Sequence, residues 1–324
     1  MRYLNEKHIH EIGIGWNKVI DTIEATTEIL KNKDYNQPLK PYLRFKDAKN
    51  RIIAMPAYVG GRTDTAGIKW IASFPGNIHE NKVRAHSVLI LNDADCGEPI
   101  CIINTGLLSG IRTAGVTGFV VRKYFSFRED DFGKLNAGII GFGPIGQLHF
   151  KMLQETFGDK IDTFYLYDTK GVDTSKFDAK GHKVVIADSW EQVYDNCLLF
   201  ATCTVSSERY IKSKPRKGGI YLNVSLRDFE VDFMKEVDEI IVDDWDEICR
   251  ENTDIERAHK EYGLNKEDVQ SITDLVNISK SPFKNNLKES TVMFNPMGMA
   301  VFDIAIARHY YDAAQEKNVG VELD

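Results

Sequence analysis

The sequence predicts an α/β protein with a Rossmann-type doubly wound parallel sheet. Beside it stands a smaller α+β substrate-binding and dimerisation domain built from both chain ends. Three observations carry this reading. Short apolar runs alternate with helix-length spacers from Ala137 to Val242, a Gly-x-Gly-x-x-Gly follows the first run, and the stretches before Ser109 and after Ala300 follow other patterns. The expected boundaries are residues 1–115 with 295–324 for the substrate domain, and 116–294 for the nucleotide domain.

The elements follow in order. Ile9, Ile12, Trp16, Val19, Ile20 and Ile23 recur at helical spacing, so His8 to Lys31 reads as one helix. A break at Gln37-Pro38-Leu39-Lys40-Pro41 precedes β-like runs at residues 51–55, 67–71 and 87–91. Asn92 to Gly97 is rich in turn residues and predicts a hairpin, with Pro99 to Ile103 returning. Residues 111–124 read as a helix. The runs 137–140, 163–167, 183–186, 198–201, 220–224 and 239–242 have the length of buried parallel strands. The stretch 300–315 reads as a helix packed back on the first domain.

The chain has 324 residues, 41 Lys plus Arg against 48 Asp plus Glu, and a formal charge of −7. Hydrophobic residues at 43% supply cores for about two domains and exclude a disordered chain. An acidic balance without a basic run argues against nucleic acid as the partner. The five cysteines show no CxxC spacing and read as free thiols of a reducing compartment. No apolar run approaches the ~18–20 residues of a membrane span, and Met1 to Glu6 lacks a signal-peptide core. The expectation is a cytoplasmic protein with no membrane partner. No metal-binding, Walker or Gly-x-Ser-x-Gly pattern occurs, and His86 and His149 read as structural.

The most informative segment is Gly141-Phe142-Gly143-Pro144-Ile145-Gly146. Gly141 suits the tight turn, Gly143 lets backbone approach a pyrophosphate, and Gly146 lets helix and strand pack closely. Pro144 falls at the first helical position, where a missing N–H costs nothing. Asp168 ends the next apolar run, 22 residues after Gly146, where a carboxylate accepts from ribose hydroxyls and favours NAD over NADP.

Lys69 interrupts the apolar strand Gly67–Ile71, so it either reaches solvent or has a buried partner. Arg112 stands where the spacing predicts the start of a helix with small residues, and it either holds an anion or lies on the surface. Lys40, Arg44, Arg51 and Arg84 add positive charge near the same strands, which points to an anionic substrate. Three loops follow Rossmann strands: Thr202-Cys203-Thr204, Asn223 to Asp228 with Val224 and Ser225, and Asp243 to Asp246. The first two are placed to touch cofactor and substrate, and the acidic third reads as a solvated turn.

Gly67-Ile68-Lys69, the Asn92–Pro99 hairpin, Ser109-Gly110-Ile111-Arg112-Thr113-Ala114 and the three motif glycines together resemble the ornithine cyclodeaminase/μ-crystallin family, over nearly the whole chain. Residues 37–44, 51–56, Asn295-Pro296-Met297-Gly298-Met299-Ala300 and Val242-Asp243-Asp244-Trp245 are similar to a branch that makes 2,3-diaminopropionate for siderophores and related products. The resemblance implies a homodimer that uses NAD. It makes Lys69 the active-site lysine and Arg112 the arginine between cofactor phosphates and substrate carboxylate. Thr113 lies beside it, and Thr202 and Thr204 lie near the nicotinamide half. It adds Arg84, Pro144, Ile145, Val224, Ser225, Met297 and Gly298 to the cofactor contacts.

Cyclodeaminases carry a catalytic aspartate after the fifth Rossmann strand, followed by Pro-Gly-Lys. Here that loop reads Ser225-Leu226-Arg227-Asp228-Phe229, with Ser225 in the aspartate's place and Asp228 three residues on. This departure argues against ornithine cyclisation. The resemblance implies instead the NAD-dependent oxidation and hydrolysis of a secondary amine that joins glutamate to a diaminopropionate unit. Lys69 then moves protons, Asp228 is a second acid/base, and Arg112 with Arg44 or Lys40 holds carboxylates. The competing expectations are a cyclodeaminase, a ketimine reductase or alanine dehydrogenase, and a crystallin-like protein that binds NAD(P) without turnover.

Overall fold

The computed structural model describes residues 1–80, 82–128, 133–277, 279–284 and 286–324. The chain divides into two units, Met1–Gly115 with Gly298–Asp324, and Val116–Met297.

The first unit is built on a mixed sheet. Its strands run in the order Val321–Glu322, Arg2–Asn5, Pro99–Asn104, Ala85–Asp93, Thr65–Ser73, Asp47–Val59 and Tyr35–Asn36, with Tyr42–Phe45 also paired to Asp47–Val59. Pairing is antiparallel except between Arg2–Asn5 and Pro99–Asn104. The turn at Asp93 to Gly97 closes the expected hairpin, with Gly97 at φ +77.

Residues 8–31 form two helices rather than one, Glu6–Ile12 and Trp16–Lys31. Gly13 causes the break: at φ +89 it leaves the helical region, and its N–H closes on Ile9 O at 3.0 Å. The second helix buries Trp16, Val19, Ile20, Ile23 and Leu30. A Cβ on Gly115 would stand 2.6 Å from Val19 Cγ1, so the helix Leu107–Phe127 approaches Trp16–Lys31 closely there because residue 115 is glycine.

The final helix, Ala300–Lys317, lies against the sheet and buries every residue from Ala300 to Ala307. Each of Ile304 and Ile306, fully buried, contributes about 1.5–3 kcal/mol of burial free energy. Asp303 is the one charged residue in that run.

The second unit carries a wholly parallel sheet. Its order is Lys183–Ile186, Ile161–Tyr167, Leu135–Ile140, Leu199–Thr202, Ile220–Asn223, Val292–Asn295, Glu239–Val242 and Gln270–Ser271. The central strands Leu199–Thr202 and Ile220–Asn223 are short, apolar and buried at every residue, as a sheet covered on both faces requires, whereas the edge strand Lys183–Ile186 is partly exposed. The strand order reverses beside Leu135–Ile140, the strand that leads into the glycine motif, and such a switch point opens a crevice for a ligand. No described helix is long and apolar enough to cross a membrane.

Candidate active site

The first unit brings four charged side chains together in its interior. Lys69 is 1% exposed, and its Nζ donates to Asp303 Oδ2 at 2.8 Å and to Ser109 Oγ at 3.3 Å. Arg112 Nε donates to the other oxygen, Asp303 Oδ1, at 2.8 Å. Lys40, also buried, donates through Nζ to Gly298 O at 2.8 Å. Strand alternation explains the inward lysine: Trp70, its neighbour, is 44% exposed on the opposite face. Lys69 therefore has a buried partner, and the alternative of a solvent-reaching lysine is set aside.

Arg112 does not begin a helix as expected. The helix starts at Leu107, whose N–H donates to Thr105 Oγ1 at 3.0 Å, so Arg112 works from the second turn and its side chain, not a helix start, supplies the charge. The two terminal nitrogens of its guanidinium make no hydrogen bond among the described residues, while Nε is taken by Asp303. They stand over Gly298, where a Cβ would lie 2.7 Å from Nη1. Gly298, at φ +88, thus belongs to this cluster through both its carbonyl and its missing side chain.

Burial pushes the Lys69 ammonium down to about 8; Asp303 opposes that shift, and the charges of Arg112 and Lys40 add to it. Burial alone would raise the Asp303 carboxyl, but Arg112 and Lys69 outweigh it and hold the group below the usual carboxylate range. A neutral-capable lysine beside a fixed carboxylate can move protons, and an arginine fork with open nitrogens can hold a carboxylate. Arg44 and Arg84, by contrast, are exposed, with the Arg44 guanidinium 5.4 Å from the Tyr42 ring centre. Thr113 is half-buried and donates to Ser109 O at 2.8 Å.

In the second unit the glycine turn has the geometry its spacing predicts. Gly141 sits at φ +87, and a Cβ there would lie 2.7 Å from the Cys203 backbone. A Cβ on Gly146 would lie 2.0 Å from Gly141 O, whereas one on Gly143 meets nothing within 4 Å. Gly143 caps the helix Pro144–Phe157, with Pro144 and Ile145 in its first turn, so a helix start with N–H groups free of intrahelical partners stands beside the open space at Gly143. Asp168 lies against the turn: Oδ2 accepts from Phe142 N–H at 2.7 Å and Oδ1 from Lys170 N–H at 2.9 Å. A glycine turn with room at its second glycine, a helix start and a carboxylate at the next strand end fit a dinucleotide. Behind the turn, His149 Nδ1 donates to Ile145 O at 2.8 Å and Nε2 accepts from Thr117 at 3.0 Å. Burial lowers this imidazole to about 4, so it is neutral and structural.

The two loops after Leu199–Thr202 and Ile220–Asn223 meet at Asp228. Its Oδ1 accepts from Thr204 Oγ1 at 2.5 Å, and Ser225 Oγ donates to Oδ2. Thr202 Oγ1 lies 2.8 Å from Ser225 Oγ. Ser225 and Asp228, three residues apart, therefore occupy one spot, with Val224 half-buried beside them. Burial pushes the Asp228 carboxyl up to about 6, against the hydrogen bonds of the threonines. The third loop is not the solvated turn expected. Asp243 is buried and accepts both Asp244 N–H and Met297 N–H at 2.9 Å, which anchors the segment that ends the second unit.

Asp303 and Asp254 are absent from the sequence-based set. A lone acid inside the apolar run Ala300–Ala307 is a signal for the first. Among the described residues no cluster of His, Cys, Asp and Glu is arranged to hold a metal.

A sequence profile of the ornithine cyclodeaminase/mu-crystallin family matches residues 7–318. The N-((2S)-2-amino-2-carboxyethyl)-L-glutamate dehydrogenase of Staphylococcus aureus is 32% identical over 340 residues, covering 100% of this chain and 98% of the relative. Two solved structures share the fold. The Thermococcus litoralis Δ1-pyrroline-2-carboxylate reductase, in complex with NADH and L-proline, has a TM-score of 0.87 at 20% identity, over 100% of both chains. An archaeal alanine dehydrogenase dimer with bound NAD has a TM-score of 0.84 at 22% identity, over 100% of this chain and 99% of that one. The chain belongs to the ornithine cyclodeaminase/μ-crystallin family.

Proposed function

We propose that this protein is an NAD-dependent amino-acid dehydrogenase that converts N-((2S)-2-amino-2-carboxyethyl)-L-glutamate to 2-oxoglutarate and L-2,3-diaminopropionate. The observation that carries the reading is the buried Lys69–Asp303–Arg112 cluster, which pairs a proton-carrying amine with an open arginine fork. The full-length similarity to the staphylococcal enzyme supports this substrate over the others the fold accommodates.

Each part has a task. Arg112 takes a substrate carboxylate through its two terminal nitrogens, and Lys40 adds positive charge beside it. Lys69, in its neutral form, accepts the proton of the substrate's secondary ammonium and so frees the lone pair that drives oxidation at the glutamate α-carbon. Asp303 orients Lys69 and Arg112 together. In the second unit, Gly141, Gly143 and Gly146 with the helix start hold the pyrophosphate, and Asp168 accepts from the ribose. The nicotinamide, when bound, supplies the hydride acceptor. The oxidised substrate is an imine, and water adds to its carbon. Collapse of the carbinolamine breaks the C–N bond and releases the keto acid and the diamine. Asp228, with Thr204 and Ser225, is the second proton carrier. Substrate, NAD⁺ and water thus give 2-oxoglutarate, diaminopropionate, NADH and a proton. The working form is a homodimer in the cytoplasm.

The test supplies the synthetic aminocarboxyethyl-glutamate and NAD, follows NADH by absorbance and identifies products by mass spectrometry, with L-alanine, L-proline and L-ornithine in parallel. NADH and both products from the first compound are expected. NADH from alanine or proline alone overturns the substrate. Proline and ammonia from ornithine without net NADH makes the protein a cyclodeaminase, and NAD binding with no turnover of any amine makes it a binding protein.

A further inference from the structure

We infer that Asp254 is a positioning residue that holds Thr204 and Asp228 in register by tying together the two strand-end loops on which they stand. The inference rests on the proposed role of Asp228 in proton transfer.

Asp254 is fully buried at the first position of the helix Asp254–Tyr262. Its Oδ1 accepts from Arg209 Nε at 2.6 Å, and Arg209 stands in the loop that carries Thr204. Its Oδ2 accepts from Asn223 Nδ2 at 3.0 Å and from Phe229 N–H at 3.2 Å, at the two ends of the loop that carries Asp228. Its own N–H donates to Leu226 O at 2.8 Å, in the middle of that loop. One residue therefore grips the second loop at three points and the first loop at one.

The grip is needed because the second loop is strained. Leu226 has φ +65, a left-handed conformation unfavourable to a non-glycine residue. Asn223 Oδ1, accepting Leu226 N–H at 3.0 Å, and Asp254, taking the carbonyl, hold it there. Arg209 is held in turn, because Nη2 donates to Asn252 O at 2.8 Å beside the same helix start. The Thr204–Asp228 bond crosses from one loop to the other, so its length depends on both. Tyr210 and Ile211 N–H groups, donating to Asp228 O at 3.0 and 2.9 Å, add a backbone link between the loops but do not fix the carboxylate.

The experiment compares Asp254→Asn, Arg209→Lys and Asp228→Asn in the full chain, with kcat and the KM for NAD under saturating amine. It adds amide hydrogen exchange of Tyr210, Ile211, Leu226 and Phe229. Asp254→Asn keeps an acceptor for Phe229 but loses the ion pair. Its kcat is expected to fall at least tenfold with the KM for NAD within twofold, and exchange of those four amides to speed at least tenfold. Arg209→Lys, which keeps the charge, is expected to retain more of kcat than Asp254→Asn. If Asp254→Asn exchanges and turns over like the parent while Asp228→Asn has lost turnover, the inference is overturned and the role of Asp228 stands. If Asp228→Asn itself turns over normally, the underlying reading fails instead. Should Asp254→Asn not fold, the same exchange measurement on Arg209→Met decides: unchanged protection of the four amides overturns the inference.

Discussion

Asp303 and Lys69 meet at 2.8 Å across 234 residues of sequence, both shut away from water. The contact joins the last helix of the first unit to a strand near the middle of its sheet, and Arg112 completes it on the other carboxylate oxygen. Asp303→Asn leaves two buried cations facing a neutral amide. Removing one partner of a buried pair costs about 3–5 kcal/mol, so urea unfolding is expected to show a loss of that order. A loss under about 1 kcal/mol means that solvent reaches the cluster.

The proton role proposed for Lys69 predicts a pH dependence. Its ammonium is lowered to about 8, and the neutral form is the base, so kcat/KM for amine oxidation rises with pH through about 8 and then levels. Because Asp303 raises this group, Asp303→Asn moves the limb to lower pH. Lys69→Met abolishes turnover while NAD binding, followed by fluorescence, stays within about twofold. Near-normal turnover by Lys69→Met removes the lysine from the mechanism.

Asp228 trades stability for position. Its folded carboxyl is raised to about 6 from an ordinary 3.8, so the folded state binds more protons than the unfolded chain between those values, and stability falls as pH rises across them. Asp228→Asn removes the buried charge. It is expected to raise stability at pH 8 by about 1–3 kcal/mol, to lose that gain by pH 4, and to lose turnover at both. Thermal melts across this range measure it, and an Asp228→Asn protein less stable than the parent at pH 8 contradicts the account.

The motif glycines separate folding from cofactor binding. Gly146→Ala drives a methyl to 2.0 Å from Gly141 O, an overpacking that costs about 1–3 kcal/mol. Gly143→Ala meets nothing within 4 Å and leaves stability within about 0.5 kcal/mol. The methyl then occupies the space reserved for the pyrophosphate, so the KM for NAD is expected to rise at least tenfold. Equal cofactor affinity in Gly143→Ala and the parent places the pyrophosphate elsewhere.

Local chemistry was legible in the sequence, and long-range pairing was not. Gly141, Gly143, Gly146 and Asp168 form a pattern whose meaning depends on one strand, one turn and the next strand, all close in the chain. The strands around them show as isolated apolar runs. Val292–Asn295 escapes that reading because it follows a long irregular stretch with short 3₁₀ turns rather than a crossover helix. Lys69 stands out as a polar intruder, but whether it faces water or a partner depends on Asp303, which only the folded chain brings near. The same holds for Asp254, whose four partners come from two separate loops. A break such as Gly13 is invisible to apolar spacing because Ile9, Ile12, Trp16 and Val19 stay in phase across it.

The first unit needs both flanks of the chain, and this orders events during synthesis. A ribosome delivers residues 116–297 while Lys69 and Arg112 still await their counter-charge. The glycine turn can thus mature on a nascent chain that has no working lysine. On the role proposed for Lys69, acquisition of chemistry waits for the closing helix to dock, so a chain cut short before Asp303 is expected to bind nucleotide without turnover.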